Sequence, residues 1–216
     1  MTYNLLNEKW LEVETLDHQS KCISLSDFVR QPDVYRDLMF PFPGHNLAVL
    51  RFLISLIYAF HQPEDEEEWK TMYESNPFEP VDQFIETFEP YLDLLDKDKP
   101  FMQSNKIVET KDKVNPVNKI LSQLPAGTGS TFFFHTINDL KIDLKNIPPI
   151  LLSANLYVPL KAGSGYYKAL NSIPLYFYLG GKNLKETLLV NTLTKSFLKD
   201  SVIDSGFSAG VKGLDD

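Results

Sequence analysis

The chain has 216 residues, 43% of them hydrophobic and 12% aromatic, which is enough to bury a sizeable core and too apolar for a disordered segment. A single cysteine, Cys22, excludes an internal disulfide framework and any zinc site built on paired cysteines. The net charge of −8 on its face argues against nucleic-acid binding.

The opening "MTYNLLNEKWLEVE" is polar and acidic, so no secretory leader is expected and a cytoplasmic protein is the default. "KWLEVETLDHQSKCISL" reads as a hairpin, two alternating runs around the polar turn "DHQS", which places Cys22 in a strand as a small apolar residue. Ser26 is expected to cap a helix running to about Met39, ended by "PFPG". Asn46 is expected to cap the apolar run "NLAVLRFLISLIYAF", which carries Arg51 and is too short to span a bilayer; it reads as a central buried helix.

Pro63 stands at the expected first turn of the helix "PEDEEEWKTMYES", whose acids suit a helix N-terminus and otherwise form a solvated face. A further helix is expected from about Pro80 to Leu95, with Phe84, Phe88, Tyr91, Leu92 and Leu95 at helical spacing. "DKDKPFMQSNKIVETKDKVNP" has no clear period and reads as a long surface excursion. Asn115-Pro116 starts the short helix "VNKILSQL", which delivers the chain into a loop around Gly127 and Gly129.

Pro148-Pro149 opens "ILLSANLYV", and the second glycine loop, "KAGSGYYK", follows from Lys161 to Lys168. "IPLYFYLGG" is expected to be a strand, from its aromatic and β-favouring content. Asn183 and Glu186 make a capping-box-like start to the helix "LKETLLVNTLTKSFLK". The elements add up to an α+β fold: a mixed helical domain over residues 1–199 with small sheets or hairpins, followed by a glycine-punctuated tail, 200–216.

Little in this sequence demands catalysis. His18, His45, His61 and His135 include no pair at i, i+3 or i+4, so no metal-ligand spacing stands out. There is no G-x-S-x-G elbow for a serine nucleophile, and neither glycine loop has the spacing of a nucleotide cradle. No cofactor is implied.

The charge distribution says more than its total. Gln103–Asn171 carries eight lysines and four acids, a balance of +4, and the rest of the chain carries −12. Both glycine loops sit in this basic third. Glycine permits close backbone approach to another surface, so "KAGSGYYK" can enter a DNA minor groove with Lys161 and Lys168 on phosphates. Tyr166 and Tyr167 can then stack or wedge. The simpler alternative is a plain turn whose tyrosines plug the core. "TFFFH" (Thr131–His135) likewise reads either as a buried strand or as an aromatic tip for stacking or docking.

The order of these features resembles a known family. "YNLLNEKWLEV", "LAVLRFLISLIYAF", "DLLDKDKPFMQ", "PVNKILSQLPAGTGSTFFFH", the basic-flanked glycine loop and "LGGKNLKETLLVNTLT" are together similar to the CasA family. That family is the large subunit of the type I-E Cascade CRISPR surveillance complex, an antiviral defense assembly. The resemblance implies a non-catalytic subunit with four partners: guide RNA, double-stranded target DNA, other Cascade subunits and a recruited helicase-nuclease. It implies DNA binding and PAM recognition from the minor groove by Lys161, Gly163, Ser164, Gly165, Tyr166 and Lys168. It also implies RNA binding at the 5′ end of the guide by the loop holding Gly127, Gly129, Phe133, Phe134 and His135.

The family loop often has more consecutive glycines, whereas Ser164 interrupts them here. The resemblance further implies a full-length chain about twice as long, so the sequence reads as an N-terminal part without the family's C-terminal helical bundle. Two other readings stay open: a structural protein-interaction domain without nucleic-acid contact, and a hydrolase with a site assembled from scattered His and Asp.

Overall fold

A computed structural model describes residues 2–103, 121, 141–157 and 177–197. The first strand, β1 (Leu11–Thr15), alternates buried Leu11, Val13 and Thr15 with half-exposed Glu12 and Glu14, so one face of a sheet meets the core. β2 (Ser20–Ile23) pairs with it antiparallel, Leu11 opposite Ile23 and Glu14 opposite Ser20. The expected hairpin is therefore present. Its turn places His18 at φ 62°, a left-handed conformation, with the imidazole Nδ1 2.8 Å from Glu14 Oε1.

The long helix expected from Ser26 to Met39 does not form. The cap is Ser24: its hydroxyl accepts from Asp27 N–H and Asp27 accepts from Ser24 N–H, both at 3.1 Å, opening α1 (Leu25–Arg30). Pro32 disfavours the helical conformation at Gln31 and supplies no N–H, so the chain turns through the 3-10 segment Pro32–Val34. It then runs as β3 (Tyr35–Leu38), which pairs antiparallel with β1 and gives the order β2-β1-β3. A register irregularity at Glu14/Thr15 lies in that pairing.

The N-terminal motif "YNLLNEKW" is structural. Leu5 and Leu6 are fully buried, and the Trp10 indole Nε1–H donates to the Leu5 carbonyl at 2.9 Å. Tyr3 N–H donates to Asp93 Oδ1 at 2.9 Å, and Leu5 N–H to the Leu92 carbonyl at 2.9 Å, so the start of the chain is laced to a segment some ninety residues later.

The central helix α2 spans Pro43–His61, 19 residues. It starts before the expected Asn46; Pro43 occupies the first turn, where a missing N–H costs nothing, and Asn46 Oδ1 instead accepts from Phe40 N–H at 2.8 Å. The helix is longer than the apolar run and meets the length and hydropathy of a membrane span. However, Val49, Leu53, Leu56 and Ile57 are completely buried along one stripe, which makes it the core helix of this domain.

α3 (Glu66–Glu74) begins after Pro63, which therefore lies outside the first turn expected to hold it; Asp65 is the cap, accepting from Glu67 and Glu68 N–H at 3.0 Å each. α4 (Val81–Phe88) is followed by a 3-10 turn, Glu89–Tyr91, that holds Pro90, and stops well short of Leu95. Its Phe84 ring lies 5.2 Å from both Phe60 and Phe78, and Phe78 packs edge-on to Phe28 at 5.7 Å, an aromatic chain that ties α1, α2 and α4 together.

α5 (Ile147–Tyr157) and α6 (Leu184–Val190) pack against α2. The described residues thus form an α+β fold of six α-helices around one three-stranded antiparallel sheet.

Candidate nucleic-acid interface

Both glycine loops, Gly127–His135 and Lys161–Lys168, lie outside the described residues, as do the helix expected from Asn115 and the tail 200–216. The fold describes where the loops are rooted. The first returns at Lys141 and runs through the 3-10 turn Leu144–Asn146 straight into α5. The second leaves after Tyr157, the last residue of α5. An eleven-residue helix is about 16 Å long. One helix laid along α2 therefore holds the return of one loop and the departure of the other. Ile150 and Leu152 of α5 are buried, which fixes that helix to the core. Lys145, from the basic third, sits 3.5 Å from Glu12 of β1 and ties the approach to α5 to the sheet.

The second loop's return is also held. Phe177–Gly181 pairs with no strand among the described residues, so the strand expected over "IPLYFYLGG" is absent from its described part. Its backbone bonds to side chains instead: Leu179 N–H donates to Asn191 Oδ1 at 2.9 Å, and Asn191 Nδ2 donates back to the Leu179 carbonyl at 2.8 Å. Gly181 N–H donates to Thr187 Oγ1 at 3.0 Å. Phe177 and Leu179 keep most of their surface open to solvent.

Asn183 caps α6 as expected, accepting from Glu186 N–H at 2.9 Å, and Glu186 reaches back one residue further, to Lys182 N–H at 2.8 Å. That bond, with one from the Tyr73 hydroxyl, holds the Glu186 carboxyl below its ordinary range. The helix ends at Val190 and does not continue to Lys199 as expected. Leu193 N–H donates to the Tyr58 hydroxyl at 2.6 Å, which bends the chain back onto α2. Lys195 pairs with Glu64, and Ser196 N–H donates to the Glu64 carbonyl at 3.0 Å.

Beside the return of the first loop is a cleft of about 390 Å³. Phe40, Phe42 and His45 form one wall; Leu121, Lys141, Asp143, Asn146 and Ile150 are on the other sides. The spacing of the histidines carries no signal of this site, because His45 is set between the rings of Phe40 and Phe42 and pairs with no second histidine. Cys22, on β2, is half-buried, and burial pushes its thiol up, away from a nucleophilic thiolate.

A family model described as CRISPR-associated protein Cse1 matches residues 4–210. Among solved structures, Thermobifida fusca Cse1 is similar at 25% identity with a TM-score of 0.71, over 88% of this chain and 39% of that one. Thermus thermophilus CasA (Cse1) is similar at 19% identity with a TM-score of 0.70, over 89% and 41%. A chain of a CRISPR RNA-guided surveillance complex is similar at 19% identity with a TM-score of 0.67, over 88% and 43%. The chain spans about two-fifths of the length of these relatives. No curated protein sequence matches it.

Proposed function

Because the chain belongs to the CRISPR-associated protein Cse1 family, we propose that it works as a non-catalytic subunit of a cytoplasmic, Cascade-type RNA-guided surveillance complex. The observation that carries this reading is the family match over residues 4–210, and the likeness to a surveillance-complex chain agrees with it. In such an assembly guide pairing reads the target, and protein reads a short motif beside it.

The loop Lys161–Lys168 is the proposed motif reader. Gly163 and Gly165 allow the backbone against base edges in the minor groove, and Lys161 and Lys168 neutralise phosphates. The minor groove presents a degenerate donor and acceptor pattern, so several motifs are tolerated. The loop with Gly127, Gly129, Phe133, Phe134 and His135 meets the 5′ end of the guide RNA. Rooting both loops on α5 supports this division, since one helix then sets their spacing. Other subunits and a helicase-nuclease complete the partners.

The test is target-duplex binding by a complex rebuilt around the full-length protein, comparing wild type with Gly163→Asp plus Gly165→Asp. Binding that collapses while the complex still assembles supports the reading; unchanged binding ends it. The apolar surface of Phe177 and Leu179 favours an additional protein contact at the second loop's return. A salt titration separates the two, because phosphate contacts lose affinity steeply with salt and an apolar interface does not.

A further inference from the structure

The cleft beside the first loop's return has features that the subunit reading does not use. His45 is nine-tenths buried, yet its imidazole has no hydrogen-bond partner among the described residues. Its ring is held edge-on by Phe42 at 5.0 Å and by Phe40 at 6.3 Å, so its orientation is set by packing and its nitrogens remain available to the cleft it lines. Buried polar groups left unpaired are rare enough to require a reason, and a ligand is one.

Three other groups limit what that ligand can be. Lys141 is exposed and forms no ion pair among the described residues, which provides a cation at the rim. The N-terminus of α2, three residues from Phe40, carries no side-chain cap; Pro43 has no N–H and His45 N–H donates to the Phe42 carbonyl at 2.9 Å, so it adds only a weak preference for an anion. Asp143 and Asn146 add an acceptor and an amide, which suit an exocyclic amine and oppose a second anionic group. Phe40, Phe42, Pro149 and Ile150 supply flat apolar walls. The volume of about 390 Å³ is that of a small-ligand pocket.

We propose that this cleft binds a nucleotide bearing an amino-substituted base. The base lies against Phe40 and Phe42 with His45 hydrogen-bonded to its ring edge, and the phosphate faces Lys141 and the start of α2. Burial depresses the His45 imidazole below its ordinary value, which keeps it neutral and able both to donate and to accept. The site uses no residue of either glycine loop, so it stands or falls independently of the motif-reading proposal.

The same chemistry is offered by a free nucleotide and by one residue of a single strand. Calorimetric titration of the full chain with adenosine monophosphate, a short oligoadenylate RNA and inorganic phosphate separates them. The expected result is saturable binding of the mononucleotide or the RNA, weakened at least tenfold by Lys141→Ala and by His45→Phe. Equal binding of both probes points to a free nucleotide, and binding of the RNA alone to a strand; both support the cleft. Three results overturn it: no saturable binding, phosphate binding as tightly as the mononucleotide, or affinities unchanged in the variants. Lys141 and Asn146 are exposed, so Lys141→Ala and Asn146→Ala decide the question if His45→Phe does not fold.

Discussion

The Tyr73 hydroxyl donates to Glu186 Oε1 at 2.9 Å, joining α3 to the first turn of α6 across 113 residues of sequence. The other carboxylate oxygen of Glu186 accepts from Lys182 N–H, so one side chain holds both the return of the second loop and a neighbouring helix. The folded-state pKa of Glu186 is depressed, first by the Lys182 bond and then by Tyr73. Such a carboxylate stabilises the fold above its unfolded value, near 4.3, and that contribution is lost as pH falls through the depressed value. Glu186→Gln is therefore expected to lower Tm at neutral pH and to flatten the acid side of the Tm–pH curve. Thermal melts between pH 3 and 7 check both; an acid limb identical to wild type would show that Glu186 contributes nothing to it.

Gly181 occupies a position where a side chain does not fit. A Cβ there would lie 2.4 Å from Glu186 Cβ and 2.7 Å from Thr187 N, and the second contact is with helix backbone, which cannot swing aside. Gly180, its neighbour, has open space around the same point. Gly181→Ala is expected to destabilise by about 1–3 kcal/mol, the usual cost of overpacking, while Gly180→Ala is nearly neutral. Denaturant unfolding of the pair tests the contrast directly.

The cap at Asn183 was legible in the sequence because it is local: an amide three residues before Glu186 needs no knowledge of the rest of the fold. The end of the same helix was not. It depends on Tyr58, 135 residues away, taking the Leu193 N–H, and on Trp69 donating to the Leu189 carbonyl at 3.0 Å. β3 lies where the sequence pattern predicts helix, for a similar reason. "YRDL" has no strong strand pattern of its own and becomes a strand by pairing with β1. The order of motifs was enough for the family, whereas the cleft around His45 needed three segments brought together in space.

Trp10 joins the N-terminal motif to the core through one polar bond. Its indole is 1% exposed and donates to the Leu5 carbonyl, and its ring lies 6.4 Å from Phe52 of α2. Trp10→Phe keeps an aromatic ring but removes one of two donors to that carbonyl, which also accepts from Leu25 N–H at 3.2 Å. The expected cost is roughly 0.5–1.5 kcal/mol for the lost hydrogen bond, with some addition for lost volume. Urea unfolding measures it, and Leu5 amide exchange should accelerate in the variant, since the segment it anchors bonds to Leu92.

His45 makes stability depend on pH in a window that the carboxylates do not reach. Burial lowers its folded-state pKa below the unfolded value of about 6.5, so between those two values the unfolded chain binds more protons. Stability from the neutral, buried imidazole is fully present above the unfolded pKa. It declines as pH falls below that value and levels off once the folded-state pKa is passed. His45→Phe removes the titration while keeping an apolar ring between Phe40 and Phe42. The difference in unfolding free energy between wild type and variant should therefore shift in favour of the variant as pH drops from 7.5 to 5.5. Lys141 and Asp143 are the charged groups that line the same cleft. A difference that stays flat with pH would mean that His45 is as free to take a proton in the fold as in the unfolded chain, and its burial would then have no energetic consequence.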